Sequence, residues 1–211
     1  MIFEDRYDAA RRMIPLLSKY KNDDGVVLAV PRGGVPIGFY IARAYHFPLE
    51  LLLTKKIGHP GNSELAIGAV SMENEVVDDR FDISDAYIQT EILKIRKSLQ
   101  ARYKKFMGDR QPIDLKDKTV IIVDDGIATG NTIMASIRMI RAKHPHKIVV
   151  AVPVAPSRTA SKISELVDDF ICVHIPEEFF GVGQFYHDFS QVSDEEVIEF
   201  MRLEEKGFIG L

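Results

Sequence analysis

The sequence is poor in the features that would mark a specialised class. It has one cysteine, Cys172, and no tryptophan in 211 residues. A lone cysteine cannot close an internal disulfide, and no Cys-x-x-Cys pair is present for zinc or redox chemistry. No apolar run approaches the ~18 residues of a membrane span. The first residues, Met1-Ile2-Phe3-Glu4-Asp5-Arg6, turn charged at once and lack the apolar stretch of a secretory signal. Positive charge is not in excess: 27 Lys+Arg stand against 31 Asp+Glu, a net charge of −4, whereas a nucleic-acid-binding domain is expected to be basic. Internal repeats and low-complexity segments are also missing. The expectation is a cytoplasmic protein with no membrane partner and no bulk nucleic-acid binding.

What is present is ordinary globular composition, 46% hydrophobic. At this length roughly 70% of the unfolded surface can be buried, so no crosslink is needed for stability. Short aliphatic runs predict buried strands at Val26–Val30, Leu49–Thr54, Leu65–Ser71, Val120–Val123, Ile148–Val154 and Phe170–Ile175. Segments of 3.6-residue period predict helices at Asp5–Tyr20, Pro36–Tyr45, Ser84–Met107, Thr132–Lys143, Ser157–Val167 and Asp194–Glu205. Alternation of helices with near-continuous apolar strands predicts an α/β fold whose parallel sheet is covered on both faces. Ligands in such folds bind beyond the carboxyl ends of the strands.

The most informative segment is Val120-Ile121-Ile122-Val123-Asp124-Asp125-Gly126-Ile127-Ala128-Thr129-Gly130-Asn131-Thr132. It reads as a buried strand, two adjacent carboxylates, a small-residue loop and a helix start. Unpaired N–H groups in such a loop, with the helix dipole behind them, make an anion site. The hydroxyls of Thr129 and Thr132 add donors. Two carboxylates repel a phosphate but accept hydrogen bonds from hydroxyls, and they suit Mg²⁺, which takes hard oxygen ligands. Ribose 5-phosphate, with hydroxyls at one end and phosphate at the other, has the matching arrangement.

This segment resembles the signature of the type I phosphoribosyltransferases. The resemblance implies their Rossmann-like parallel-sheet core, about 20–170, with a small hood from about 1–19 and 171–211, in one domain over 1–211. It implies that Asp124 and Asp125 hold the ribose hydroxyls of phosphoribosyl pyrophosphate (PRPP), and that Ala128, Thr129, Gly130, Asn131 and Thr132 hold its 5-phosphate. Gly126 departs from the family, which usually has an aliphatic residue or serine there. A second turn, Pro31-Arg32-Gly33-Gly34, follows the first strand. Its glycines allow close backbone approach to an anion and its guanidinium offers forked donors. It is similar to the turn that binds pyrophosphate in the purine branch, nearest to the xanthine-guanine type. Arg32 joins Asp124 and Asp125 as the expected catalytic set.

The resemblance places a closing loop after the second strand, at Lys55-Lys56-Ile57-Gly58-His59-Pro60-Gly61-Asn62-Ser63-Glu64, with Lys55 and Lys56 near pyrophosphate and weaker roles for His59 and Glu64. Residues 176–190 are aromatic-rich and resemble a base-binding segment. Either Phe179 or Phe180 is then the ring that stacks on the acceptor. His187 lies in the same cap, and Asp188 is the acid expected near Mg²⁺, alongside Asp124 and Asp125 as metal ligands. Mg²⁺ and an acceptor base are the implied partners, and relatives are commonly homodimers. One element is absent: where the purine branch carries Lys-Arg-Thr, this chain has Ser157-Arg158-Thr159. The lysine that reads a 6-oxo group is missing, which leaves the acceptor unassigned.

A second reading is a PRPP- or nucleotide-binding regulator that attaches to RNA or DNA. Residues 94–110 hold seven bases and one acid, next to residues 73–91 with seven acids and one base. An apolar stripe through Ile88, Ile92, Ile95, Leu99 and Phe106 predicts that this helix packs against the body, with its bases on the solvent side.

Overall fold

The computed structural model describes residues 1–78 and 80–207; the Glu64 side chain lies outside the description. In chain order the elements are α1 (Arg6–Met13), a 3-10 segment (Ile14–Tyr20), β1 (Gly25–Ala29), α2 (Gly34–Tyr45), β2 (Leu49–Leu51), β3 (Lys55–His59), β4 (Asn62–Val70) and β5 (Glu75–Val77). They continue with α3 (Asp85–Met107), β6 (Thr119–Val123), α4 (Asn131–Arg141), β7 (Lys147–Val154), α5 (Ser157–Ser164), β8 (Asp169–His174), a short 3-10 turn (Val182–Phe185) and α6 (Asp194–Glu205).

Five strands form a parallel sheet in the order β2-β1-β6-β7-β8. Alternate side chains go to opposite faces, as the two-residue period requires. Val27, Ala29, Ile121, Val123 and Val149 join one core with α1, α2, α3 and α6. Val26, Leu28, Val120, Ile122 and Ile148 join the other, with Ile133, Ile137 and Ile140 of α4 and Ile163 of α5. Burial on both faces explains the unbroken aliphatic runs. The chain leaves β1 toward β2 on one side and returns to β6 on the other. The crevice at the carboxyl ends of β1 and β6 is therefore the switch point of the sheet, where ligands bind in such folds.

Three expectations are corrected. The segment Leu65–Ser71 is a strand, but it belongs to a separate antiparallel sheet β3-β4-β5 that packs against α3 and α4. The expected loop 55–64 is mostly a β3–β4 hairpin, in which Lys55 pairs with Val70 and only Pro60-Gly61 remains as a turn. The expected helix Asp5–Tyr20 is α-helical only to Met13, because Pro15 cannot donate within a continuing helix.

A buried carboxylate helps to fix the sheet edge. Glu50 on β2 accepts from Leu51 N at 2.7 Å, Tyr103 OH at 3.0 Å and Ile113 N at 3.2 Å. Burial pushes its carboxyl above the usual range, opposed by these donors. They tie α3 and the segment before β6 to the sheet.

Candidate active site

The β1–α2 and β6–α4 turns, read separately in the sequence, touch one another. A Cβ on Gly33 would lie 1.9 Å from Asp125 Oδ2, and a Cβ on Gly34 would lie 2.6 Å from Val123 O and 2.9 Å from Asp124 Cα. The two glycines let the first turn sit directly on the acid pair. The Pro31–Arg32 peptide between strand and helix is cis.

Asp124 and Asp125 follow β6 and are both half-buried. Asp124 Oδ1 accepts from Asp125 N at 2.9 Å, which fixes the Asp124 carboxylate against the main chain of its neighbour. Burial, with the adjacent Asp125 charge, pushes the Asp124 carboxyl well above the usual range. Burial also raises Asp125, but there a cation opposes it. That cation, Arg6, carried no signal in the sequence. Its Nε and Nη2 donate to Asp125 Oδ2 at 3.1 and 2.8 Å, and its Nη1 donates to Ser190 O at 2.8 Å. The guanidinium carbon lies 4.3 Å from the centre of the Phe189 ring. Tyr186, also unmarked in the sequence, is buried and donates from its hydroxyl to Asp125 O at 2.7 Å. Both residues come from the ends of the chain, which are stitched together by Phe3 N to Phe185 O at 2.7 Å and His187 N to Phe3 O at 2.8 Å.

The expected phosphate loop runs from Ala128 to Thr132, with Ala128, Thr129, Asn131 and Thr132 exposed. Gly130 adopts φ +73°, a left-handed conformation that glycine tolerates, and α4 starts behind it with no side-chain cap. The first N–H groups of the helix are thus left without a side-chain partner at its N-cap. Thr159 of the Ser157-Arg158-Thr159 segment donates to Ala128 O at 2.8 Å and so supports this loop from behind. Val182 lies where a Cβ on Gly126 would fall, 2.5 Å from its Cγ1, so the glycine makes room for the cap.

The other expected residues are more dispersed. Arg32 is part-buried and its Nη1 lies 3.4 Å from Asp194 Oδ1 at the start of α6; Lys105 Nζ holds the other oxygen at 2.6 Å. Lys55 and Lys56 are exposed at the start of β3. His59 Nδ1 accepts from Gly61 N at 3.0 Å, within the hairpin turn. The two candidate stacking rings separate clearly. Phe179 stacks on Phe185, with ring centres 5.6 Å apart, whereas Phe180 is 88% exposed. The turn under Phe180 is fixed by Gln184, whose Oε1 accepts from Phe180 N at 2.8 Å and Gly181 N at 3.3 Å. Asp188 is exposed and accepts from Ser190 N at 2.9 Å, a bond that holds its carboxyl below the usual range. Among the described residues no three His, Cys, Asp or Glu side chains converge as a ready metal cage. Asp188 is not drawn into a cluster with Asp124 and Asp125.

The bases of α3, and Arg110 just after it, mostly face acids. Arg96 pairs with Glu75, Lys94 with Glu91, Lys105 with Asp194, and Arg110 with Glu204 and Glu205. The acidic segment 73–91 supplies two of these partners and α6 the rest. No helix among the described residues is long and apolar enough to cross a membrane.

A doubly wound sheet with an acid pair and an open helix end at its switch point defines a sugar-phosphate- or nucleotide-binding class. Within that class, the model of the phosphoribosyl transferase domain family matches residues 3–190, and the chain belongs to this family. A Mycobacterium tuberculosis protein named "Putative phosphoribosyl transferase" in strains CDC 1551 / Oshkosh and H37Rv is 37% identical over 205 residues, 95% of this chain. The chain spans 46% of the length of those relatives. The crystal structure of TT1426 from Thermus thermophilus is 32% identical, covers 95% of this chain and 98% of that one, and superposes with a TM-score of 0.87. A hypothetical Neisseria gonorrhoeae protein with bound ppGpp, 15% identical with a TM-score of 0.52, covers 98% of this chain and 97% of that one and shares the fold alone.

Proposed function

We propose that this domain transfers the 5-phosphoribosyl group from PRPP to a nitrogen of an acceptor base or related amine. The new bond joins that nitrogen to C1 of the ribose, the C1–O bond to pyrophosphate breaks, and pyrophosphate leaves with the electron pair. The observation that carries this reading is the contact of two loops at the switch point. A hydroxyl-binding acid pair lies beside an uncapped helix end on one side and a glycine turn on the other. Ala128, Thr129, Gly130, Asn131 and Thr132 hold the 5-phosphate. Asp124 and Asp125 hold the ribose hydroxyls and favour positive charge as the ring becomes oxocarbenium-like. Arg32, Gly33 and Gly34, with Lys55 and Lys56 on the hairpin, hold the leaving group. Arg32 has to exchange its long contact to Asp194 for the pyrophosphate.

The hard oxygen donors of the acid pair fit Mg²⁺, and ligand oxygens complete its shell, as is usual for this ion. When bound, Mg²⁺ neutralises charge on the leaving pyrophosphate. Asp188 stays a further acid at the edge of the cap.

Calorimetric titration with PRPP and Mg²⁺ tests the reading. Saturable binding is expected, weakened about tenfold to a hundredfold by Asp125→Asn, the worth of one hydrogen bond to a charged group. A folded protein that binds no PRPP overturns it.

For the acceptor, Phe180 is the exposed platform and Ser157 stands where a 6-oxo-reading lysine is expected. A site lacking a partner for a substrate's polar group discriminates against that substrate by orders of magnitude. The preferred acceptor is therefore a base or amine that does not depend on that contact. Phe180→Ala is expected to leave the unfolding temperature unchanged, because the ring is 88% exposed. The same substitution is expected to raise KM for whichever base supports pyrophosphate release by about tenfold, the worth of one stacking contact.

A further inference from the structure

The Arg6 guanidinium is more fully engaged than a helix-end surface arginine needs to be. Its side chain is 11% exposed. Two of its nitrogens converge on a single oxygen, Asp125 Oδ2, the third is fixed by Ser190 O, and its face lies on Phe189. The same Oδ2 is backed on the other side by Gly33, where a Cβ would lie 1.9 Å away. Asp125 is thus clamped between a guanidinium and a backbone. Both Arg6 donors to this carboxylate go to Oδ2 and neither to Oδ1. Arg6 therefore holds one carboxylate oxygen and leaves the other, Oδ1, without a bond from it.

We propose that Arg6 is a positioning residue for the ribose: by fixing Asp125 Oδ2 it aims Asp125 Oδ1 at a ribose hydroxyl of the bound sugar phosphate. This inference rests on the PRPP reading and adds to it a residue from outside the acid-pair motif. Arg6 does not touch the sugar phosphate; it acts through Asp125. Its hold on Ser190 O and Phe189 also ties the orientation of that carboxylate to the position of the C-terminal cap. Lysine, a point charge on a flexible stem, can approach Asp125 but cannot make all three contacts.

The test compares three probes by calorimetry: inorganic phosphate, n-propyl phosphate (an ester with no hydroxyl) and ribose 5-phosphate. The protein as it stands is expected to prefer ribose 5-phosphate. In Arg6→Gln the affinity for ribose 5-phosphate falls at least tenfold while inorganic phosphate and n-propyl phosphate bind as before. Arg6→Lys recovers part of the loss. An unchanged preference in Arg6→Gln overturns the proposal, and so does an equal loss for all three probes, which marks a purely structural arginine. Failure of the PRPP reading looks different: the unmutated protein then shows no preference for ribose 5-phosphate over n-propyl phosphate.

Discussion

Asp124→Asn is expected to yield a protein that is harder to unfold and that binds PRPP at least a hundredfold more weakly. The two effects have one cause. Asp124 is held beside a second carboxylate and out of water, so its folded-state pKa lies above the ordinary 3.8. Where the folded value is raised, the native state keeps a proton that the unfolded chain has released. Stability therefore falls as pH rises through the interval above 3.8, and the full penalty is present once the folded carboxyl has ionised. Asparagine keeps an oxygen that can accept from Asp125 N and removes the charge. The unfolding midpoint of the variant is therefore expected to lie above that of its parent at pH 7.5. Thermal unfolding across pH checks the sign: the gap between variant and parent closes on acidification below the unfolded value of 3.8, where the parent's carboxyl is neutral in both states. A variant less stable than its parent at neutral pH refutes this account. The binding loss follows because an amide is a weaker acceptor than a carboxylate and contributes no charge to an electron-poor ribose.

The adjacent glycines are expected to fail in different ways. In Gly34→Ala the added Cβ meets Val123 O at the end of β6 at 2.6 Å and Asp124 Cα just beyond it at 2.9 Å. That strand is central and fully buried, so it cannot yield. Overpacking of this kind costs up to ~3 kcal/mol, which corresponds to a fall of about 6–12 °C in the unfolding midpoint. In Gly33→Ala the obstacle is a side chain, the Asp125 carboxylate. The carboxylate can swing away, at the expense of its two bonds from Arg6. Gly33→Ala is therefore expected to lose less stability than Gly34→Ala and still lose about tenfold to a hundredfold in PRPP affinity. Calorimetry and thermal unfolding on the pair separate the roles. Retained PRPP binding in Gly33→Ala is incompatible with an Asp125 that must be held in place.

The central strands were legible because burial on both faces leaves uninterrupted aliphatic runs. The acid pair and its loop were legible because strand, acids, loop and helix are contiguous in the chain. The hairpin was not: β3 has one buried residue, Ile57, and neither the period nor the composition of a core strand. For Leu65–Ser71 the strand was read correctly and the sheet wrongly, since local periodicity specifies an extended segment and not its neighbours. Arg6 looked like any base in the first turn of an amphipathic helix, and its partner lies 119 positions away. The difference in exposure between Phe179 and Phe180 needed the position of Phe185, which packs on the first ring and leaves the second exposed.

The clamp on Asp125 draws Arg6, Gly33 and Asp125 from three distant stretches of one chain, so the site exists only when the whole fold does. A ligand that uses it can bind the native state and finds nothing equivalent in the unfolded one. Its binding free energy is then added to global stability by mass action, about 2.7 kcal/mol at a hundred times Kd. Melting temperature becomes a gauge of occupancy that works before the acceptor has been identified. Candidate acceptors can be ranked by the extra heat resistance they confer on the protein already saturated with its sugar phosphate.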